Sequence, residues 1–509
     1  MSDVHHGHEP SYDEFPYPGY AYWFTHPDHL GVLAMLHGLT PAPAEACRVL
    51  ELGCGDGGNL LPMAADLPGS RFVGVDASEI QILQGTRRVG QLGLTNLELI
   101  RADLRDLGDS LGEFDFVIAH GLLSWIPEDV RVATMALIGR VLAPHGVAMV
   151  SYNTYPGWYD FETVRHLMAF HTAKVSAPDE RVAQARLVAS WYCERTARRS
   201  EIEKGALMDA VHKAVEASSD AMIAHDYLAA HHHPFWFQEL TALAADHGLA
   251  YLTNARQAQL RTANYEDEVA EMLRKLPDVL RQQQYMDFFS NTRFRTTVLC
   301  RAEREIERSA RIERFADLYV EAMTDHDLWA EELRDRPAIM LEAPIGTIAV
   351  EGTPLRISLS HLHRRRPEAL DLDTLFELVL PELMRTGIDE GLGSTEEGRA
   401  ELAVALVREL VSLYFKEVVQ LWRRPPRVTG VVGERPRTGP VQRLQGAEGA
   451  AATTLAHRHI RLDPLQSQVL ARLDGERTVA ALRAELGEGV DEALAFLATA
   501  GFLLAPQAP

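Results

Sequence analysis

Cysteine is scarce. Four residues, Cys47, Cys54, Cys193 and Cys300, are scattered over 509 positions with no C-x-x-C pair. That spacing argues against a disulfide framework or a structural zinc and fits a reducing compartment. Positive charge is also short, with 50 Lys and Arg against 72 Asp and Glu and a net charge of -22. Nucleic-acid binding needs cationic surface to meet phosphates, so no nucleic-acid partner is expected. The acidic excess suits a basic partner and equally serves plain solubility. No apolar run approaches the ~20 residues of a membrane helix, and the polar, His-rich start "MSDVHHGHEP" lacks the apolar core of a signal peptide. A cytoplasmic protein without membrane insertion is the expectation.

What is present is a repeating α/β pattern. Short apolar runs, "RVLELG", "RFVGVDAS", "LELIRADL", "FDFVIAHG" and "GVAMVSYN", alternate with helical stretches between residues 48 and 151. Five such strands imply a doubly wound parallel sheet. "GLAYLTNAR" and "RFRTTVLCRA" read as a sixth and seventh strand forming a reversed final pair. They would be separated from the first five by helical insertions at about 159–233 and 256–290; the alternative is an independent helical domain over 159–300. The expected organisation is an N-terminal lid or strap (1–47), a Rossmann-like seven-stranded domain (48–302), a mixed α+β middle domain (303–425), a linker (426–454) and a winged-helix-like C-terminal domain (455–509). Within the middle domain, "AIMLEAPIGTIAVEG" reads as a hairpin turning at Gly346.

The stretch "VLELGCGDGGN" (49–59) holds the first chemical signal, and its glycines can be counted two ways. Gly53, Gly55 and Gly58 fit the G-x-G-x-x-G turn that carries a pyrophosphate. Glu51, Gly53, Gly55 and Gly57 fit an acidic-led turn that would repel one. A glycine turn lets a ligand approach the backbone and the helix N-terminus. An acid at the end of the next strand, Asp76, can accept from ribose hydroxyls. Asp103, ending the third strand, can accept from an adenine amino group. With Glu51 in front, a ligand bearing adenosine and positive charge satisfies all three: S-adenosyl-L-methionine, rather than a nicotinamide dinucleotide.

These residues, with "FVGVDAS", "LGLTNLELIRADL", "EFDFVIAHGLLSWIP" and "VSYNTYPGW", resemble class I S-adenosylmethionine-dependent methyltransferases. The chain looks closest to the bacterial group with a methyltransferase regulatory domain, which includes rickettsial protein-lysine methyltransferases. "HPFWFQEL" and "QYMDFFSNTRFRTTVLCR" extend the similarity. The resemblance implies cofactor contacts at Glu51, Gly53, Gly55, Gly57, Asp76, Ala77, Asp103, Leu104 and His120. It also implies a lysine-bearing protein substrate and leaves a homodimer open. Alternatives are a small-molecule N- or O-methyltransferase and a cofactor-binding regulatory protein without catalysis.

Methyl transfer requires a nucleophile aligned behind the methyl carbon, so acceptor-positioning residues belong at strand ends beside the cofactor. Asn153, Tyr155 and Trp158 follow the fifth strand and are candidates, with packing as the competing role for the two aromatic residues. The aromatic stretch "SYDEFPYPGYAYWFTHP" reads as a lid offering Tyr12, Tyr17, Tyr20 or His26, with Tyr20 carried forward as a catalytic candidate. His231, His232 and His233 are adjacent and cannot readily share one ion, so no metal is expected and a helix end before Pro234 is preferred. The basic cluster "HLHRRRPEAL" reads as solvated surface.

Overall fold

The computed structural model describes residues 19–506, apart from 109–110, 200–201, 259–260, 262–264, 310–311, 324–337, 345 and 387–394. Tyr12 and Tyr17 of the expected lid lie outside the described residues. Seven strands form one sheet: β1 Arg48–Leu52, β2 Arg71–Asp76, β3 Leu97–Arg101, β4 Phe114–Ala119, β5 Leu142–Asn153, β6 Leu249–Asn254 and β7 Phe294–Arg301. Their order is β3-β2-β1-β4-β5-β7-β6. The first five are parallel. β7 lies antiparallel between β5 and β6. The final pair is therefore not reversed as a unit: β7 alone is reversed, and β6 runs in the direction of β5.

β1 is buried along Val49–Leu52 because both faces of a central parallel strand are covered. Val49, Phe72, Phe116 and Ile118 belong to one core, which also takes in the helices Pro27–Leu36 and Leu60–Asp66. Leu50, Val73 and Val117 belong to another with Leu137 and Ile138 of the helix Glu128–Val141. Between β2 and β3, Ser78 caps the helix Glu79–Leu92 through Gln81 N–H, and Gly93 ends it at φ +65°.

Two helical insertions stand at the sheet's far edge. Between β5 and β6, Tyr159–Thr172, Pro178–Arg199 and Ile202–Ala217 are followed by a π-helical turn, Ile223–Tyr227, and enclose a core with Phe161, Met168, Cys193 and Val211. Between β6 and β7 run the helices Asp267–Arg274 and Val279–Ser290. Arg295 of β7, with no side-chain exposure, bonds both Asp287 oxygens through Nε at 2.9 and 3.0 Å. That pair pins the second insertion to the strand, since breaking a buried pair leaves an uncompensated charge.

A three-stranded sheet (Leu370–Asp371, Tyr319–Ala322, Val419–Trp422) and the hairpin Ala338–Ala343/Gly346–Glu351 make the next unit. It is tied to the first helix: both oxygens of buried Asp28 accept from the backbone N–H groups of Arg423 and Arg424 at 2.9 and 3.1 Å. Part of the stretch read as a linker is folded. Pro440–Glu448 is a helix and Ala451–Thr453 a strand paired with His459–Arg461. Proline and glycine content misled here, because Pro440 sits in the first helical turn, where its missing N–H costs nothing. Helices Pro464–Leu470, Val479–Leu486 and Val490–Thr499 close the C-terminal core around Leu482, Leu494 and Phe502. Among the described residues no helix is long and apolar enough to cross a membrane.

Candidate active site

At the carboxyl end of β1, Gly53, Gly55 and Gly57 have φ of +74°, +55° and +75°. A Cβ on Gly55 would meet only the end of the Gln81 side chain, in van der Waals contact at 3.9 Å. Asp76 staples the turn to β2: its Oδ2 accepts from Gly55 N–H at 2.8 Å and its Oδ1 from Ser78 N–H at 2.9 Å. Ala77 beside it is exposed. Glu51 is 4% exposed. Its Oε1 accepts from Asn59 Nδ2 at 2.8 Å, while Oε2 has no hydrogen-bond partner among the described residues. Burial, with Asp76 and Asp56 nearby, pushes its carboxyl up to about 8 against the bond from Asn59. A buried carboxyl with one unpartnered oxygen beside the glycine turn fits a ligand that brings a cation.

Asp103 is differently placed. Its oxygens accept from Arg105: Oδ1 from N–H at 2.9 Å and Nε at 3.0 Å, Oδ2 from Nη2 at 2.6 Å. Those bonds hold its carboxyl down at about 2. Leu104, next to it, is buried in the core. At the end of β4, burial holds the His120 imidazole down at about 4, hence neutral, and its Nδ1 lies 2.9 Å from Ser151 Oγ.

The N-terminal strap crosses this site. Tyr22 packs edge-on to His120, with ring centroids 4.0 Å apart, and Phe24 does so at 5.3 Å. Tyr22 N–H donates to Asn59 Oδ1 at 3.1 Å. A Cβ on Gly58 would meet the Gly19 backbone at 2.6 Å, so the strap lies directly against the glycine turn. Burial, then Tyr20, Glu51 and Asp226, pushes the Tyr22 phenol up to about 12. Asp226, in the π-helical turn, is therefore within electrostatic reach of the strap; burial raises its own carboxyl to about 7. Tyr20 faces the C-terminal hairpin, its ring 4.2 Å from His459.

A second cluster forms beyond β5. Buried Asn153 places Nδ2 3.1 Å from His232 Nε2, and His232 Nδ1 lies 3.4 Å from Glu162 Oε1. Tyr155 donates its hydroxyl to Glu162 Oε2 at 2.7 Å. Burial and that bond hold the phenol above its usual range, so it is a neutral hydroxyl. Trp158, 9% exposed, packs in the insertion core against Phe161 and His232, which fits packing better than chemistry. The expected helix end before Pro234 is absent: His231, His232 and His233 lie in an irregular segment after the π-helical turn. His232 lies between Trp125 and Trp158, at centroid distances of 4.7 and 4.5 Å, while His233 turns away to Glu239. No three His, Cys, Asp or Glu side chains among the described residues are placed to hold a metal ion.

The sheet and its turn match known proteins. Residues 49–146 match the family model of a methyltransferase domain. Residues 219–301 match one described as "Predicted methyltransferase regulatory domain", and 434–501 match the "PKMT, C-terminal winged helix domain". The uncharacterized protein RP789 of Rickettsia prowazekii is 37% identical over 302 residues, 59% of this chain and 54% of that one, so the match spans about half that relative's length. The uncharacterized protein RP028 of the same organism is 33% identical over 218 residues, 43% of this chain and 87% of that one. In fold, the structure of PKMT2 from Rickettsia typhi in complex with AdoHcy matches 96% of this chain and 100% of that one, with TM-score 0.82 at 23% identity. The chain belongs to the class I S-adenosylmethionine-dependent methyltransferases that carry a methyltransferase regulatory domain and a PKMT-type winged helix.

Proposed function

We propose that the protein transfers a methyl group from S-adenosylmethionine to lysine side chains of a protein substrate. The observation that carries the cofactor half is Glu51, buried beside the glycine turn with one oxygen unpartnered among the described residues. Bound there, the cofactor would supply a methyl group activated by a sulfonium. Glu51 would hold its ammonium, the glycine turn would admit its backbone-sized tail, and Asp76 would face the ribose. Ala77 and Leu104 would flank the adenosine. Asp103 could still offer a lone pair to the adenine amino group, although Arg105 already occupies both oxygens.

For the acceptor, the supports are the regulatory and winged-helix matches and the fold shared with PKMT2. A lysine must shed a proton before it can attack. Asp226, raised by burial to about 7, suits that transfer near neutral pH. Tyr22 and Phe24 against His120 would exclude water at the approach. The Tyr155 hydroxyl, fixed by Glu162, and the Asn153–His232 pair would orient the incoming chain. Labelled methyl transfer into a proteome from the same cell, resolved by mass spectrometry, tests the reading. Label on protein lysine is expected; label confined to small molecules would replace it with a metabolite methyltransferase.

A further inference from the structure

The C-terminal module reaches the cofactor loop itself. Its hairpin, Ala451–Thr453 and His459–Arg461, is joined by a turn in which His457 N–H bonds Thr454 O at 3.0 Å and Thr454 N–H bonds Arg458 O at 2.8 Å. His457 there has φ +59°, a left-handed conformation uncommon for a side-chain-bearing residue, and is 3% exposed. Its Nε2 lies 2.9 Å from Asn59 Oδ1. The Tyr22 backbone N–H can only donate, and it points at the same Asn59 oxygen, so that atom is the amide oxygen and His457 Nε2 must carry the proton. The Asn59 amide nitrogen is thereby turned to Glu51 Oε1. Burial keeps His457 neutral, far below the usual imidazole range.

A second contact runs beside the first. Arg88 bonds Asp56 of the glycine turn and, through Nε at 3.2 Å and Nη2 at 3.3 Å, the two oxygens of Glu448 on the helix Pro440–Glu448. Arg458, next to His457, bonds fully buried Glu321 at 2.6 Å, and Glu321 also accepts from Trp422 Nε1 at 2.9 Å. The hairpin is therefore anchored on the middle unit while its tip presses on the turn.

We propose that the winged-helix module is a working part of the cofactor site, with His457 as a positioning residue that aims Glu51 at the cofactor through Asn59. The proposal rests on the reading that the cofactor binds at this turn. Titration calorimetry of the full chain with S-adenosylhomocysteine tests both separately. If the wild-type chain shows no binding, that reading of the turn fails, and this proposal with it. With binding present, His457→Ala is expected to raise Kd about tenfold, the loss of one buried hydrogen bond of ~1.4 kcal/mol. His457→Gln, which keeps an N–H donor within reach, should restore most of it. A rise under fivefold in the alanine variant, or no recovery in the glutamine variant, overturns the proposal. Should His457→Ala fail to fold, Glu448→Gln, at a half-exposed position, carries the test: a rise of twofold or more supports the proposal, and a smaller one overturns it.

Discussion

At the ends of β1 and β2 the carboxyl groups themselves are held by near neighbours in sequence. Asn59 reaches Glu51 across eight positions, and Asp76 reaches Gly55 across 21. At the end of β5 the partners come from far away: Asn153 meets His232 across 79 positions. The first half is built on a local strand–turn–helix, to which His457 adds one distant partner through Asn59. The second exists only because the insertion folds back over the sheet. A local motif suits a constant ligand, whereas an acceptor pocket made from an insertion can be changed without disturbing the turn.

That contrast can be broken by experiment. The largest effect should come from the turn itself. Asp76→Ala removes both backbone staples and Gly55→Val places a branched side chain at φ +55°, so each should abolish S-adenosylhomocysteine binding by calorimetry. Unchanged affinity in either would remove the cofactor from this loop. Next, Asp226→Asn should lower turnover about 100-fold, as loss of a general base does, with Kd for the cofactor product held within threefold. A parallel loss of binding would transfer Asp226 to the cofactor half.

A smaller effect follows from Glu51. Free, it is protonated below about 8; a bound ammonium favours its carboxylate, so binding releases a proton. Cofactor affinity should therefore rise about tenfold per pH unit from 6 towards 8 and then level off. Glu51→Gln should flatten that profile. The smallest is Tyr155→Phe, which removes the hydroxyl held by Glu162 and should slow turnover about tenfold while leaving Kd unchanged. A change in Kd without one in turnover would move Tyr155 out of the acceptor half.

The same contrast explains what could be read from the letters. All seven strands were visible as apolar runs, and Glu51 was legible because an acid ahead of a glycine turn excludes phosphate. The direction of β6 was not, since nothing local distinguishes a reversed strand from a parallel one. Asp103 was legible as a strand-end acid, but not its capture by Arg105 two residues on. Asn59 stood inside the quoted motif without a role, because its partners Tyr22 and His457 lie far along the chain on either side. His232 had a signal, three histidines before "PFWF", yet its place between two tryptophans depends on the insertion's fold. Proline-rich composition masked the helix Pro440–Glu448 for a related reason: one residue type serves linkers and helix starts alike.

The contact between Asn59 and His457 also sets an order in time. The two residues are 398 positions apart, so at roughly 5–20 residues per second the ribosome delivers the second about 20–80 s after the first. Through that interval a nascent chain can form β1 to β7 and the glycine turn, with Tyr22 and Thr25 on the Asn59 oxygen but not yet His457. On the proposal above, full affinity for the cofactor then waits on a residue delivered long after the turn itself.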